Sequence, residues 1–162
     1  METYNEKQII LNREITEMRE KAHQAFDQRR QDLCRLKESF AHIFEQEKKR
    51  LQKQLNELLS DRLKMRADGI GNTHTEMRMS YENEKRIQEM QSANRMQFFD
   101  AIRENARQQN TNTEEYRAEK LKISNYKAER LLQIEQERKE LLILREKEQI
   151  STIVDNDEKE KD

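Results

Sequence analysis

The sequence predicts an all-α protein, a long antiparallel helical hairpin or coiled coil without β structure. Charged residues make up 40% of the 162 residues and apolar residues only 33%. That is too little apolar material for a thick core but enough for one seam along a helix. The chain has no proline and only two glycines, and it is rich in residues that favour helix. Long helices are therefore favoured over disorder, which low hydrophobicity also permits.

The first predicted helix spans 4–67, where the helical spacing of apolar residues is unbroken. Apolar residues in this helix recur at every eleventh position, and the same interval returns near the C-terminus. A repeat of eleven averages about 3.67 residues per turn, which predicts a nearly straight or slightly right-handed seam. The two series are Leu11, Ala22, Leu33, Phe44 and Leu55, and Leu121, Leu132, Ile143 and Val154.

Both glycines lie in a predicted turn at 68–73. Gly69 can adopt the left-handed conformation that ends a helix, and Gly71 would give the chain freedom to reverse. Thr73 and Glu76 have the spacing of a capping box, in which the two side chains satisfy free N–H groups at a helix N-terminus. The turn predicts that the chain folds back on itself.

The second predicted helix spans 74–154. Its weak point is 108–113, which lacks apolar residues. This segment is either a break or kink, or a continuous helix with a polar seam. The last residues, 155–162, are mostly charged and are predicted to form a disordered acidic tail.

If the chain reverses near residue 71, residues of the two helices pair symmetrically about that point. The first helix then ends opposite about residue 138 and leaves 141–154, the most apolar segment, without a partner. Exposed apolar surface of this kind usually marks an interface. The expected pairs include Phe44–Phe98, Phe26–Tyr116, Leu51–Met90, Ala22–Leu121 and Leu11–Leu131. The candidate partner-binding residues are Leu141, Leu142, Ile143, Leu144, Ile150, Ile153 and Val154.

A second candidate surface is a basic face at 48–66, where Glu57 and Asp61 are the only acidic residues. Such a face would suit RNA, an acidic lipid surface or an acidic protein segment. A solvated helical face is the ordinary alternative, and the absence of interleaved aromatic residues argues against single-stranded nucleic acid. The basic residues are Lys48, Lys49, Arg50, Lys53, Arg62, Lys64 and Arg66.

Methionines near the turn and the adjacent pair Phe98–Phe99 supply further candidate contacts. Thioethers fill irregular seams and also make adaptable binding surfaces. We expect Met65, Met77 and Met90 to lie in the seam. Met79 and Met96, together with one residue of the phenylalanine pair, are then left for other contacts.

No arrangement of residues predicts catalysis, a metal or a cofactor. Glu20 and His23 have the Glu-x-x-His spacing of di-iron bundles, but those sites need two such pairs, and the sequence has one. Zinc-type Cys/His spacing and glycine-rich phosphate loops are absent. The single Cys34 predicts a buried or half-buried thiol, which suits a reducing compartment. No segment has the length and apolarity of a membrane span. We therefore expect a soluble, cytoplasmic protein that is not an enzyme.

The predicted function is that of a structural or adaptor coiled coil. It would dock other coiled-coil or cytoskeletal proteins, or a second copy of itself, through 141–154. Such helices are common in cytoskeletal, ciliary and multisubunit assemblies, so the expectation is an analogy of shape. Two alternatives stay open: a coiled-coil regulator or stalk of a larger ATPase or tethering machine, and a basic helix that binds nucleic acid or a membrane surface.

Overall fold

The computed structural model describes residues 3–67, 69 and 74–160, and it confirms an all-α hairpin. Helix α1 spans Tyr4–Ala67 and helix α2 spans His74–Glu160. The described residues contain no strand. The two helices divide into two compact units, to which both contribute. The terminal unit comprises Met1–Asp27 and Thr113–Asp162, and the turn unit comprises Gln28–Asn112.

Caps are visible at both ends of α1. Thr3 and Glu6 form a capping box at its start: Glu6 Oε2 accepts from the Thr3 N–H at 3.0 Å, and Thr3 Oγ1 accepts from the Glu6 N–H at 3.2 Å. At its end Gly69 has φ +71° and its N–H donates to the Arg66 carbonyl at 3.3 Å. Gly71 and Thr73, predicted in the turn and at the cap of α2, lie outside the described residues. Glu76 lies in the first turn of α2.

Helix α2 is longer and more continuous than its polar stretches suggested. It is helical through 108–113, and it continues to Glu160, six residues beyond the predicted end at 154. The segment 155–160 is therefore helical where a disordered tail was predicted. This segment contains no proline or glycine that would end the helix, and a high content of charged residues does not by itself end one.

The core of the terminal unit is a small apolar cluster between α1 and α2. Its buried residues are Leu11 and Ile15 from α1 and Ile123 and Ile134 from α2. The predicted neighbour of Leu11, Leu131, packs against this cluster. The other side chains packed there are Tyr4, Met18, Ala22 and Tyr126.

The turn unit has a thinner apolar core, since Leu33, Leu51 and Ile87 are its buried apolar residues. Phe44 stacks on Phe98 with ring centroids 4.4 Å apart, as the turn-centred pairing predicted. In the terminal unit Phe26 stacks on Tyr116 at 4.6 Å in the same register. Each unit is therefore built on residue pairs that lie symmetrically about the turn.

Not every predicted pairing is found in the structure. Leu121 was expected to face Ala22, but its side chain is largely exposed, and Ile123 is the buried residue at this level. Positions two apart on an α-helix differ by about 200° because 3.6 residues make one turn. Leu121 therefore lies on nearly the opposite side of α2 from Ile123. In the other helix the predicted series Leu11, Ala22, Leu33, Phe44 and Leu55 is buried or half-buried at each of its members.

Candidate interaction surface

The apolar segment 141–154 is exposed along its entire length in the terminal unit. All seven candidate partner-binding residues are exposed, Leu141 least and Ile150 most. The segment is part of the continuous helix α2, so its side chains are held in fixed positions relative to one another. Large apolar side chains at this density on one helix resemble an interface more than an ordinary surface.

Helix α1 begins opposite 135–138, close to the predicted position. Tyr4 donates its hydroxyl hydrogen to Glu135 Oε1 at 3.0 Å, and Lys7 Nζ lies 2.7 Å from Glu137 Oε2. The Arg138 guanidinium covers the Tyr4 ring at 4.5 Å. The lysine ammonium, donating to Glu137, lowers the pKa of that carboxyl below its ordinary value. These contacts hold the start of α1 against α2 immediately before the exposed segment.

A shallow groove of about 400 Å³ lies where α1 begins and the exposed segment starts. Its apolar lining residues are Ile134, Leu141 and Leu142. Lys7, Arg138 and Arg145 add positive charge, and Thr3 and Tyr4 complete the lining. The groove joins the buried cluster of the terminal unit to the apolar segment that follows it.

Helix α2 has a second apolar line on the face away from its buried residues. Leu121 and Leu132 are 62% and 65% exposed, and Ile143 and Val154 are 50% and 49% exposed. An interval of eleven residues is close to three turns, so these four side chains lie in nearly one line. The candidate segment 141–154 is thus the C-terminal part of a longer exposed apolar line.

The predicted basic face is divided by the structure. Lys49, Lys53 and Lys64 are exposed, whereas Arg62 is buried. The other three side chains have partners on the protein: Lys48 lies 6.0 Å from the Phe44 ring, Arg50 pairs with Glu47, and Arg66 donates to the Tyr81 hydroxyl at 3.0 Å.

Arg62 forms a buried polar site in the turn unit that the sequence did not reveal. Its Nε donates to Ser80 Oγ at 2.9 Å, and its guanidinium lies over the Tyr81 ring at 4.2 Å. A terminal nitrogen lies 2.8 Å from Glu84 Oε2 without the geometry of a hydrogen bond. The signal was present, because Arg62 lies eleven residues after the fully buried Leu51.

Two asparagines of α2 take positions that apolar residues would otherwise occupy. Asn105 is 3% exposed, and its Nδ2 donates to the Leu33 carbonyl at 2.8 Å. Asn112 is buried within the segment that lacked apolar residues. A polar seam, one of the two explanations open for 108–113, is consistent with these positions.

The remaining candidate contacts are largely exposed in the turn unit. Met79, Met96 and Phe99 are exposed, as expected of residues left over from the seam. Met90, predicted to lie in the seam opposite Leu51, is also exposed. Cys34, predicted to be buried or half-buried, is exposed, because its neighbour Leu33 occupies the inward position.

Neither helix, over the described 4–67 and 74–160, has a stretch both long and apolar enough to cross a membrane. Among the described residues, no three His, Cys, Asp or Glu side chains are arranged to hold a metal ion. The chain has no significant match to a protein-family model, a curated protein or a solved structure.

Proposed function

We propose that this chain is a non-enzymatic structural or adaptor protein that docks its partners through 141–154. In this proposal α1 and α2 pack as a coiled coil with near-eleven-residue spacing and act as a stiff helical scaffold. The partners are other helical proteins or a second copy of the chain, as in cytoskeletal, ciliary and other multisubunit assemblies. The mechanism is recognition at a fixed position, without a chemical step.

The observation that carries the proposal is the exposure of seven large apolar residues within fourteen positions of one continuous helix. Leaving such surface in water is unfavourable by roughly 25 cal/mol per Å² of apolar area, so a partner that covers it gains stability. The start of α1 contacts α2 at Glu135, Glu137 and Arg138, immediately before this segment. An apolar helix beyond the last contacts of a hairpin is well placed to receive another helix.

The test compares two double variants of the full chain, each of which introduces two glutamates at exposed apolar positions. Ile143→Glu/Ile150→Glu alters the docking segment, and Ile43→Glu/Leu63→Glu alters exposed residues of the turn unit. Ile150 and Ile43 are 62% and 61% exposed, so the charge is introduced into similar surroundings. Circular dichroism is expected to show unchanged helix content in both variants.

The measurement is quantitative affinity capture from the cells that produce the protein, using each variant and the wild type. The docking-segment variant is expected to lose the wild-type set of bound proteins at least tenfold, and the turn-unit variant is expected to retain it. Equal capture by all three proteins would refute 141–154 as the docking element. Capture lost only in the turn-unit variant would assign docking to the surface around Ile43 and Leu63.

A further inference from the structure

We call the exposed apolar line of α2 the outward line; its residues are Leu121, Leu132, Ile143 and Val154. We propose that this line binds a second copy of this chain in an antiparallel arrangement. The two copies would be related by a two-fold axis at the point between Glu137 and Arg138. This inference rests on the proposed function, because it names the occupant of the docking segment. It also lengthens the interface by about twenty residues toward the start of α2.

The outward line is distinct from the face that packs on α1. Ile123 and Ile134 are buried against α1, while Leu121 and Leu132, each two residues away, are the most exposed of the line. A helix with two apolar sides is suited to a position between two neighbours. One neighbour, α1, is present in the hairpin, and the second side is without one in the described structure.

The length of the line favours a helix over a small contact. From Leu121 to Val154 it covers 33 steps, or ~50 Å at 1.5 Å per residue. The segment 141–154 alone covers only ~20 Å at the same rise. A stable interface needs about 800 Å² per partner, and the longer line offers more than twice the contact length.

Symmetric antiparallel pairing matches apolar residues along the line. With the axis between Glu137 and Arg138, Leu121 lies opposite Val154 of the second copy, and Leu132 lies opposite Ile143 of the second copy. Each contact occurs twice by symmetry. The small Ala128 lies opposite Lys147 of the second copy and leaves room for the lysine stem.

Charge complementarity in this register supports the same occupant. Lys147 lies within one step of Glu129 of the second copy, and Lys139 within one step of Glu135 of the second copy. These pairs place opposite charges at the margins of the apolar line. Exposed ion pairs add little stability, but they select register and orientation.

A parallel pair would bring like charges together. Lys139 and Glu146 lie on or beside the outward line. In a parallel pair in register, each of them would face the same residue of the second copy. An antiparallel pair centred on 141–154 instead would leave Leu121 and Leu132 outside the contact between the two segments. The antiparallel arrangement about Glu137 and Arg138 keeps Leu121 and Leu132 in the contact, and it separates the two Glu146 residues by ~25 Å along the helix at 1.5 Å per residue.

The first experiment is sedimentation equilibrium on the full chain. We expect a dimer, weakened at least tenfold by Leu132→Glu and unchanged by the control Leu63→Glu. Leu132 and Leu63 are 65% and 66% exposed, so the two substitutions differ in place and not in burial. A wild-type monomer at all concentrations, or equal effects of the two variants, would overturn the inference.

The second experiment fixes the orientation by disulfide formation in a Cys34→Ser background. A mixture of Leu132→Cys and Ile143→Cys chains is expected to form a disulfide between the two variants. Neither variant alone should form a disulfide. In a dimer of one variant the two equivalent cysteines would be ~16 Å apart along the helix at 1.5 Å per residue, beyond the ~7 Å that a disulfide spans. A disulfide in Leu132→Cys alone would indicate parallel pairing.

The two experiments separate this inference from the proposed function. A disulfide between Ile143→Cys and Ile153→Cys chains would place the axis within 141–154, which overturns the longer interface but retains the docking segment. A monomeric chain whose captured proteins are lost in Ile143→Glu/Ile150→Glu would have a different partner, and only the second-copy inference would fail.

Discussion

At the scale of single residues, Arg62 shows how a charged side chain can occupy a helical seam. Its aliphatic stem and guanidinium are enclosed by α2, with Ser80 and Tyr81 supplying a hydrogen bond and an aromatic face. Glu84 supplies the balancing charge at 2.8 Å. Removal of one partner from a buried ion pair is costly because the other charge remains without compensation.

We expect Glu84→Ala to destabilise the protein by up to about 3 kcal/mol, since it leaves the buried guanidinium without a counter-charge. The control is Glu82→Ala, in which an exposed carboxylate 3.8 Å from Arg78 is removed. That substitution should change the free energy of unfolding by no more than about 0.5 kcal/mol. Urea unfolding followed by circular dichroism measures the free energy of unfolding of both variants. Equal losses of stability would show that the burial of Arg62 does not require the charge of Glu84.

The ion pair between Lys7 and Glu137 gives the terminal unit a pH dependence. The ammonium lowers the pKa of the Glu137 carboxyl from its ordinary value of 4.5. A carboxyl with a lowered pKa stabilises the fold above its unfolded-state pKa, and this contribution is lost as the pH falls through the folded-state pKa. The exposed position of the pair makes the expected effect small.

We expect the melting temperature of the wild type to fall more steeply below pH 4.5 than that of Glu137→Gln. Lys7→Met should flatten the same part of the profile, because it removes the other partner of the pair. Thermal melts from pH 7 to pH 3 compare the three proteins. Parallel profiles for all three would mean that the pair contributes nothing to folding.

At the scale of the elements, the sequence predicted two helices, the bounds of α1 and several of the pairs between the helices. It placed the end of α2 six residues too early and Leu121 on the wrong side of that helix. Uninterrupted helix formers and the position of Gly69 indicated where α1 ends. Eleven-residue spacing selected Leu121 and Leu132, yet Ile123 and Ile134 are the buried residues. Because α2 has apolar residues on two faces, spacing alone cannot tell which face meets α1.

The spacing of apolar residues could not predict the buried polar residues either. Arg62 and Asn105 occupy inward positions because each finds a partner across the seam, at Ser80 and at the Leu33 carbonyl. A pattern search that counts only apolar residues passes over such positions. The aromatic pairs Phe44–Phe98 and Phe26–Tyr116 were predictable because the turn set their register.

We expect Leu51→Ala to destabilise the turn unit by about 2–5 kcal/mol, the usual cost of a large-to-small change in a core. Leu51 is fully buried, whereas Leu63 on the same helix is exposed. Leu63→Ala, the same chemical change, should therefore cost no more than about 0.5 kcal/mol. If thermal or urea unfolding gives the two variants the same stability, that result would contradict the burial of Leu51 in the core of the turn unit.

At the scale of the whole molecule, the fold consists of two helices that turn back on each other, and function depends on what this pairing leaves uncovered. Composition predicted long helices with a narrow apolar seam, and the glycines of 68–73 predicted that the chain turns back on itself. The apolar segment 141–154 was predictable as unpartnered from the same register. Its extension to Leu121 was not, since only the packing of Ile123 and Ile134 shows which side of α2 stays exposed.

The most direct test of this account is the distance between spin labels at Arg19→Cys and Lys122→Cys, in a Cys34→Ser chain diluted with unlabelled protein. Dilution ensures that both labels belong to one molecule. The hairpin predicts a separation of a few nanometres or less. If the helices instead lay end to end, the labels would be well beyond ~100 Å apart at 1.5 Å per residue, and the seam between α1 and α2 would not exist within one chain.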